Sequence, residues 1–240
     1  ELMRLMARAG FETVFVGIET PHEDSLTECS KFNNKKRDLI ADVKKIQNNG
    51  LQVQGGFIVG FDSDPAVIFE KQIEFIQNSG IVTAMVGLLN ALRGTQLYKR
   101  LEKEERLLKD VTGDNTDGSI NFIPKMNYDT LIAGYKKILS TIYSPKCYYQ
   151  RVRNFMKEYK PVKKGMLRIS FTELSAFFRS VLRLGIIGKE RFQYWKLMIW
   201  SLFRRPRMIP LATTLAIFGF HFRKIAEASI RKTYRGSLQR

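Results

Sequence analysis

Two apolar runs in this chain end in glycine and a carboxylate: Phe15-Val-Gly-Ile-Glu-Thr20 and Gly55-Gly-Phe-Ile-Val-Gly-Phe-Asp62. Glu19 follows Val14, Phe15, Val16 and Ile18, so its carboxylate ends a segment built for burial, where a charge is costly unless hydrogen bonds meet it. A ligand with adjacent hydroxyls, such as a ribose, would satisfy both oxygens. Capping the next helix or pairing with a lysine would satisfy the same group. In the second run Gly55, Gly56 and Gly60 surround Phe57-Ile58-Val59. Glycine weakens a strand and persists where a ligand or another backbone comes close, so a flat purine could lie against this main chain. A turn glycine beside a packing glycine is the alternative. Asp62 and Asp64 precede Pro65, a placement suited to capping a helix that starts there, more than to metal binding. Cys29 and Cys147 are the only cysteines. They form neither a disulfide framework nor a spaced metal motif, and a reducing, cytoplasmic setting is the expectation.

These residues need elements that carry them to one place. Residues 1–10 suit a helix closed by Gly10, and residues 11–18 a strand; a helical pattern over 21–50 stops at Gly50. A second strand spans 53–60, a helix 66–78 is broken by Gly80, and a third strand spans 81–89 before a charged helix over 96–108. Strands alternating with helices predict an α/β fold with a parallel sheet, because parallel neighbours require a crossover. Residues 109–127 form a polar loop longer than a simple connection needs, which predicts a cover over something. Helical periodicity follows over 131–143, 148–159, 171–184 and 192–203, with a boundary near Pro161.

Charge divides the chain more sharply than hydropathy does. Residues 1–150 hold 19 Lys+Arg and 19 Asp+Glu, and residues 151–240 hold 21 and 4, so the whole formal charge of +17 sits in the second part. Such a block attracts phosphate-bearing partners, either nucleic acid or an anionic lipid surface. Residues 209–222 are apolar between Arg204, Arg205 and Arg207 on one side and Arg223 and Lys224 on the other. This run is shorter than the roughly 20 residues that span a bilayer. A buried helix is the first reading and a helix in the membrane interface the second. A chain opening Glu1-Leu-Met-Arg inside a helix shows no leader and is expected to be a piece of a longer one.

Gly17-Ile-Glu-Thr20, Leu26, Ser30-Lys-Phe-Asn33, Gly56-Phe-Ile-Val-Gly60, Leu89-Asn-Ala-Leu-Arg-Gly-Thr95 and Leu97-Tyr98 resemble the last three strand ends of a radical S-adenosylmethionine (SAM) enzyme barrel. Asn121-Phe-Ile-Pro-Lys-Met126, Gly134-Tyr135, Ile142-Tyr-Ser-Pro-Lys146 and Tyr149-Gln-Arg-Val152 are similar to the domain of unknown function appended to many cobalamin-binding members. The resemblance covers residues 1–160 and implies a partial (β/α)6 barrel over 1–108, an appended loop and helices over 109–160, and a basic helical tail over 161–240. It implies SAM as cofactor, with a [4Fe-4S] cluster and cobalamin in the full-length protein. By the same resemblance Glu19 takes the place of the group on the SAM ribose and Lys31 that of the cation paired with the SAM carboxylate. Gly56, Ile58 and Gly60 match the strand beside adenine, and Asn90 ends the last strand next to it.

The departures matter as much. The family's Cys-x3-Cys-x2-Cys run is absent, and three thiolates on one loop are needed to hold a cluster with one iron free for SAM. Phe61-Asp62-Ser63-Asp64 stands where the family commonly has a Pro-Gly-Glu turn. The chain alone is therefore expected to be inactive, as the C-terminal half of an enzyme that transfers methyl groups to an unactivated carbon of a small molecule or lipid, peripheral on a membrane. The rival expectation is a nucleic-acid-binding module or a tRNA-modifying relative, in which the basic tail contacts phosphates and stacks on bases.

Overall fold

The structure, a computed structural model, describes residues 1–108, 119–161 and 171–237. The chain runs α1 (Leu2–Arg8), β1 (Thr13–Glu19), α2 (Glu23–Glu28), α3 (Leu39–Asn48), β2 (Gln52–Val59), α4 (Ile68–Ser79), β3 (Thr83–Leu88) and α5 (Gln96–Lys103). It continues with α6 (Tyr128–Ile142), α7 (Pro145–Glu158), α8 (Phe171–Ser180), α9 (Arg191–Arg204) and α10 (Ile209–Ser237). The three strands form one parallel sheet in the order β1-β2-β3. This α/β unit with a mainly helical remainder is the class that the sequence predicts.

Alternation decides which way each strand faces. In β2, Val53, Gly55, Phe57 and Val59 are buried while Gln52, Gln54, Gly56 and Ile58 are half-buried. The buried set packs beneath α3, α4 and α6, whose Val43, Ile68, Phe69, Ile76, Leu131 and Ile138 close one core with it. The other face is open: Phe15 is 61% and Met85 48% exposed, and no atom lies within 4 Å of where a Cβ on Gly87 would stand. Local chemistry sets the joints. α4 ends at Gly80 with φ +71, the left-handed conformation of a helix C-cap, and Thr95, Asn127 and Ser144 cap α5, α6 and α7 through their side chains.

Three expectations need correction. The helical pattern over 21–50 is two helices, α2 and α3, separated by a 3-10 turn at Phe32–Asn34 with Ser30 and Lys36 at positive φ. The break is tertiary in origin, because Asn34 turns back to bond the end of β1. Nor do Asp62 and Asp64 cap α4, which starts after Val67 without a side-chain cap; arginines take the first carboxylate, and Ser25 with the N–H groups of Gly60 and Phe61 takes the second. α5 also stops short of 108, and Leu107 instead bridges antiparallel to Phe122. Residues 109–118, within the expected polar cover, and 162–170, beside the expected boundary, lie outside the described residues.

Residues 209–222 open α10. Ala212, Leu215 and Ala216 are buried against the other helices, while Ile217 and Phe218 on the same helix are exposed, so burial is one-sided. Among the described residues no helix is long and apolar enough to cross a membrane.

Candidate site at the strand tips

β1, β2 and β3 deliver their carboxyl ends to one edge, with Ile58 beside Gly87, Val59 beside Leu88, and Leu89 N–H donating to the Val59 carbonyl at 2.9 Å. In parallel α/β sheets that edge is where ligands bind. Glu19 reaches it through an irregularity: the register with β2 slips between Gly17 and Glu19, and Glu19 sits at φ +65, an uncommon conformation for a residue with a side chain. Its Oε1 lies 3.0 Å from Lys31 Nζ; the carboxylate is mostly buried and the lysine is half-exposed. A Cβ on Gly17 would stand 2.6 Å from that Oε1 and 3.2 Å from Nζ, so a side chain there would push the tips of the pair aside. Gly17 is in register with Gly56, so this carboxylate folds over the open face of the sheet. The pairing with a lysine foreseen as an alternative for Glu19 is thus present, and its partner is the other candidate, Lys31.

The glycines divide their roles. Gly60 has φ +107 and its Cβ direction meets Leu131 of α6 at 3.3 Å, and a Cβ on Gly55 would meet Phe57 at 2.7 Å, which makes them a turn glycine and a packing glycine. Gly56 and half-buried Ile58 face the open side, where the Phe15 ring covers Gly56, its Cζ 2.9 Å from a virtual Cβ. Asn90 is occupied with structure. It donates to the carbonyls of Leu88 (3.3 Å) and Ser119 (3.2 Å) and accepts from Asn121 N–H (3.2 Å). Buried Asn121 completes the clasp through Ala91, accepting from its N–H and donating to its carbonyl, both at 2.8 Å. The described end of the long polar loop is therefore strapped to the β3 tip.

Sequence reasoning missed the groups that hold the tips together. Gln72 of α4, fully buried, donates to the carbonyls of Glu19 (3.2 Å) and Ile58 (3.1 Å), and Asn34 donates to those of Gly17 (3.2 Å) and Ile18 (3.3 Å). Gln72 lies on a buried helix face amid apolar residues, and a polar residue there must have partners. That was the available signal. Behind β2, Asp62 accepts from Arg106 at 2.6 and 2.8 Å and from Arg100 at 3.2 Å, while Glu28 accepts from Arg100 (2.8 Å) and from the Ser63 hydroxyl (2.7 Å). Burial alone would raise both carboxyls, yet the arginine and serine donors hold Asp62 and Glu28 below the ordinary carboxylate range. Asp64 goes the other way. Burial pushes it up against hydrogen bonds from Ser25 (2.6 Å) and the N–H groups of Gly60 (2.8 Å) and Phe61 (3.1 Å).

The described residues include no group of three or more His, Cys, Asp and Glu placed to hold a metal ion. Cys29 and Cys147 are free thiols, and burial raises that of Cys29, away from the thiolate a metal needs. What the tips offer is a carboxylate acceptor, an ammonium donor, an apolar strand edge and an open glycine.

Comparison with known proteins gives the family. Residues 95–234 match a family described as Domain of unknown function (DUF4070), and the chain belongs to it: it is the C-terminal part of a cobalamin-binding-type radical SAM protein. Over its whole length it is 32% identical to an uncharacterized methyltransferase of Synechocystis sp., covering 46% of that protein. It is 29% identical across 85% of its length to the hopanoid C-2 methylase of Rhodopseudomonas palustris, of which it covers 39%. Over 44% of its length it is 28% identical to the bacteriochlorophyllide d C-12(1)-methyltransferase of Chlorobaculum tepidum, of which it covers 23%. The chain thus spans less than half the length of the curated relatives it matches.

Proposed function

We propose that the tips of β1, β2 and β3 form one wall of the SAM site of a radical SAM methyltransferase. Residues 1–108 are then the last three units of a (β/α)6 barrel, with 109–160 packed on it and 161–240 as its basic tail. The observation that carries this reading is the Glu19–Lys31 pair at an edge shared with Ile58 and the open Gly87. SAM presents a ribose diol, a carboxylate and an apolar purine edge, each needing a different partner. Glu19 would accept from the ribose hydroxyls, Lys31 would neutralise the carboxylate, and Ile58 with the main chain at Gly60 and the Phe15 ring over Gly56 would bound the purine. Because Lys31 already bonds Glu19, the two act as one clamp whose ammonium has further donors to give. Asn90 would act by holding the 119–121 strap over the pocket edge.

When bound at a reduced [4Fe-4S] cluster, SAM supplies a 5′-deoxyadenosyl radical. Two cysteines 118 positions apart do not fit that cluster, which needs three thiolates on one loop, so no step of its chemistry is assigned to these residues. The enzyme's product is a methylated carbon on a small molecule or lipid, in keeping with relatives named for a hopanoid and a bacteriochlorophyllide. The basic tail would keep it peripheral on an anionic membrane, where a polycyclic lipid substrate resides.

The test is SAM binding by the complete enzyme. Glu19→Gln and Lys31→Ala are each expected to weaken SAM by about 10- to 100-fold, the range for hydrogen bonds to charged groups. Unchanged affinity in both variants would remove the proposal. As a control, the 240 residues alone, reconstituted anaerobically with iron and sulfide, are expected to leave SAM uncleaved.

A further inference from the structure

Helix α9 is apolar on two faces, and protein covers one of them. Tyr194, Leu197 and Met198 are buried against the neighbouring helices. Phe192, Trp195, Ile199, Leu202 and Phe203 recur at helical spacing on the opposite side, with Phe192 75% and Phe203 80% exposed. A helix that is hydrophobic all round belongs in a core or in lipid. α8 and its π-helical continuation (Val181–Ile187) repeat the pattern, for Phe171, Leu174, Phe178, Leu182 and Ile186 form a second exposed stripe led by Phe171 at 87%. Apolar patches of this extent on a protein surface mark an interaction site.

The rim identifies the partner. Arg191 lies over the Phe192 ring at 5.1 Å, Lys196 shares the exposed face, and Arg204 and Arg205 close the helix. Of the acids nearby, Glu190 is held by Arg223 at 2.7 Å, and Glu227 lies 3.8 Å from Arg223 and 3.9 Å from Lys224. The surface is therefore apolar at its centre and cationic at its edge. An RNA would reward the cations and leave the aliphatic side chains in water; an anionic bilayer rewards both. With 14 residues α9 is about 21 Å long, short of the roughly 30 Å hydrocarbon core, so it can lie in a membrane but not cross it.

We infer that α8 and α9 form an interfacial anchor, which buries Phe171, Phe178, Phe192, Ile199 and Phe203 at the headgroup boundary of an anionic bilayer while the rim arginines and lysines meet lipid phosphates. This rests on the reading of the enzyme as membrane-peripheral and adds insertion to attraction.

Co-sedimentation of the full chain with phosphatidylcholine vesicles, with and without phosphatidylglycerol, tests it. The parent is expected to bind the anionic vesicles and to shift its Trp195 emission to the blue in a Trp200→Phe background. Phe192→Ser and Phe203→Ser, at exposed positions that spare the fold, are each expected to weaken binding by about tenfold or more. Replacing Arg191, Lys196 and Arg204 by glutamine is expected to abolish the preference for anionic vesicles. If the serine variants bind like the parent, insertion is wrong while membrane recruitment stands. If the parent binds no vesicle, both fail. Concentration-dependent dimerisation that the serine variants abolish would assign the face to a second copy instead.

Discussion

Arg151 of α7 is fully buried, and its guanidinium donates to the carbonyls of Ile142 (2.9 Å) and Val82 (3.2 Å) and to Gln77 Oε1. Tyr143 and Tyr148 lie beneath it, their ring centres 5.9 and 5.3 Å away. Among the described residues no carboxylate forms an ion pair with it, so peptide dipoles and ring faces replace the counter-charge, and burial pulls its pKa down. The group ties the end of α6 to the residue before β3, which only a forked donor can do from one position. Arg151→Met leaves two carbonyls unpaired in the interior and is expected to lower the unfolding free energy by about 2–5 kcal/mol in urea titrations. A loss under about 1 kcal/mol would mean that removing the buried charge offsets the broken bonds. Glu19 and Lys31 solve the same problem differently, since both reach solvent and can exchange their mutual bond for a ligand.

At the scale of elements, the loop after β2 is fixed by charge where a helix cap was expected. Asp62 and Glu28 titrate below their ordinary range when folded, so the unfolded chain binds more protons near that range. Their stabilisation is complete above the unfolded value of about 4 and is lost as pH falls through the folded values. Asp64, raised by burial, has the opposite sign: the folded chain holds its proton longer, and its contribution, full below about 4, is lost as pH rises through the raised value. Asp62→Asn is expected to cost about 1–3 kcal/mol at neutral pH and to flatten the loss of stability on acidification below about pH 4. Parent and variant with parallel acid limbs in pH-dependent urea titrations would exclude Asp62 as the titrating group. This loop also shows where reading the sequence stops. The strands, α4, α6, α7 and α9 are legible because apolar periodicity and glycine stops are local signals, and Glu19 stands out as a carboxylate ending an apolar run. The bonds from Asp62 to Arg100 and Arg106 join residues 38 and 44 positions apart, as the one from Ser25 to Asp64 spans 39. No period of 2 or 3.6 encodes such pairings. The division of 21–50 was hidden for the same reason, because Asn34 finds its partners 16 and 17 positions back.

At the scale of the whole molecule, α10 fastens the basic helices to the α/β unit at the end remote from the strand tips. Its Leu211, Thr214 and Phe218 line a cleft of about 200 Å³ with Thr13, Gln52 and Thr83, at the amino ends of the strands. β2 has eight residues, so this seam lies about 26 Å from the tips. Tyr148 of α7 is the fastening: its hydroxyl donates to the Leu215 carbonyl at 2.8 Å, and its ring packs on Gly219. A Cβ on Gly219 would stand 2.3 Å from Tyr148 Cε1, with both partners buried. In an isolated helix Gly219→Ala would gain about 1 kcal/mol of helix propensity. Here overpacking costs about 1–3 kcal/mol and outweighs that gain, because the ring is fixed by its hydrogen bond and has no space to yield. Thermal unfolding of Gly219→Ala is therefore expected at lower temperature than the parent, while SAM affinity is unchanged because the seam and the tips share no side chain. In a Tyr148→Leu background the same alanine should be neutral or stabilising, since the obstructing ring is gone. If alanine stabilises the parent itself, α7 and α10 are not in the close contact described, and the basic helices would move independently of the strand tips.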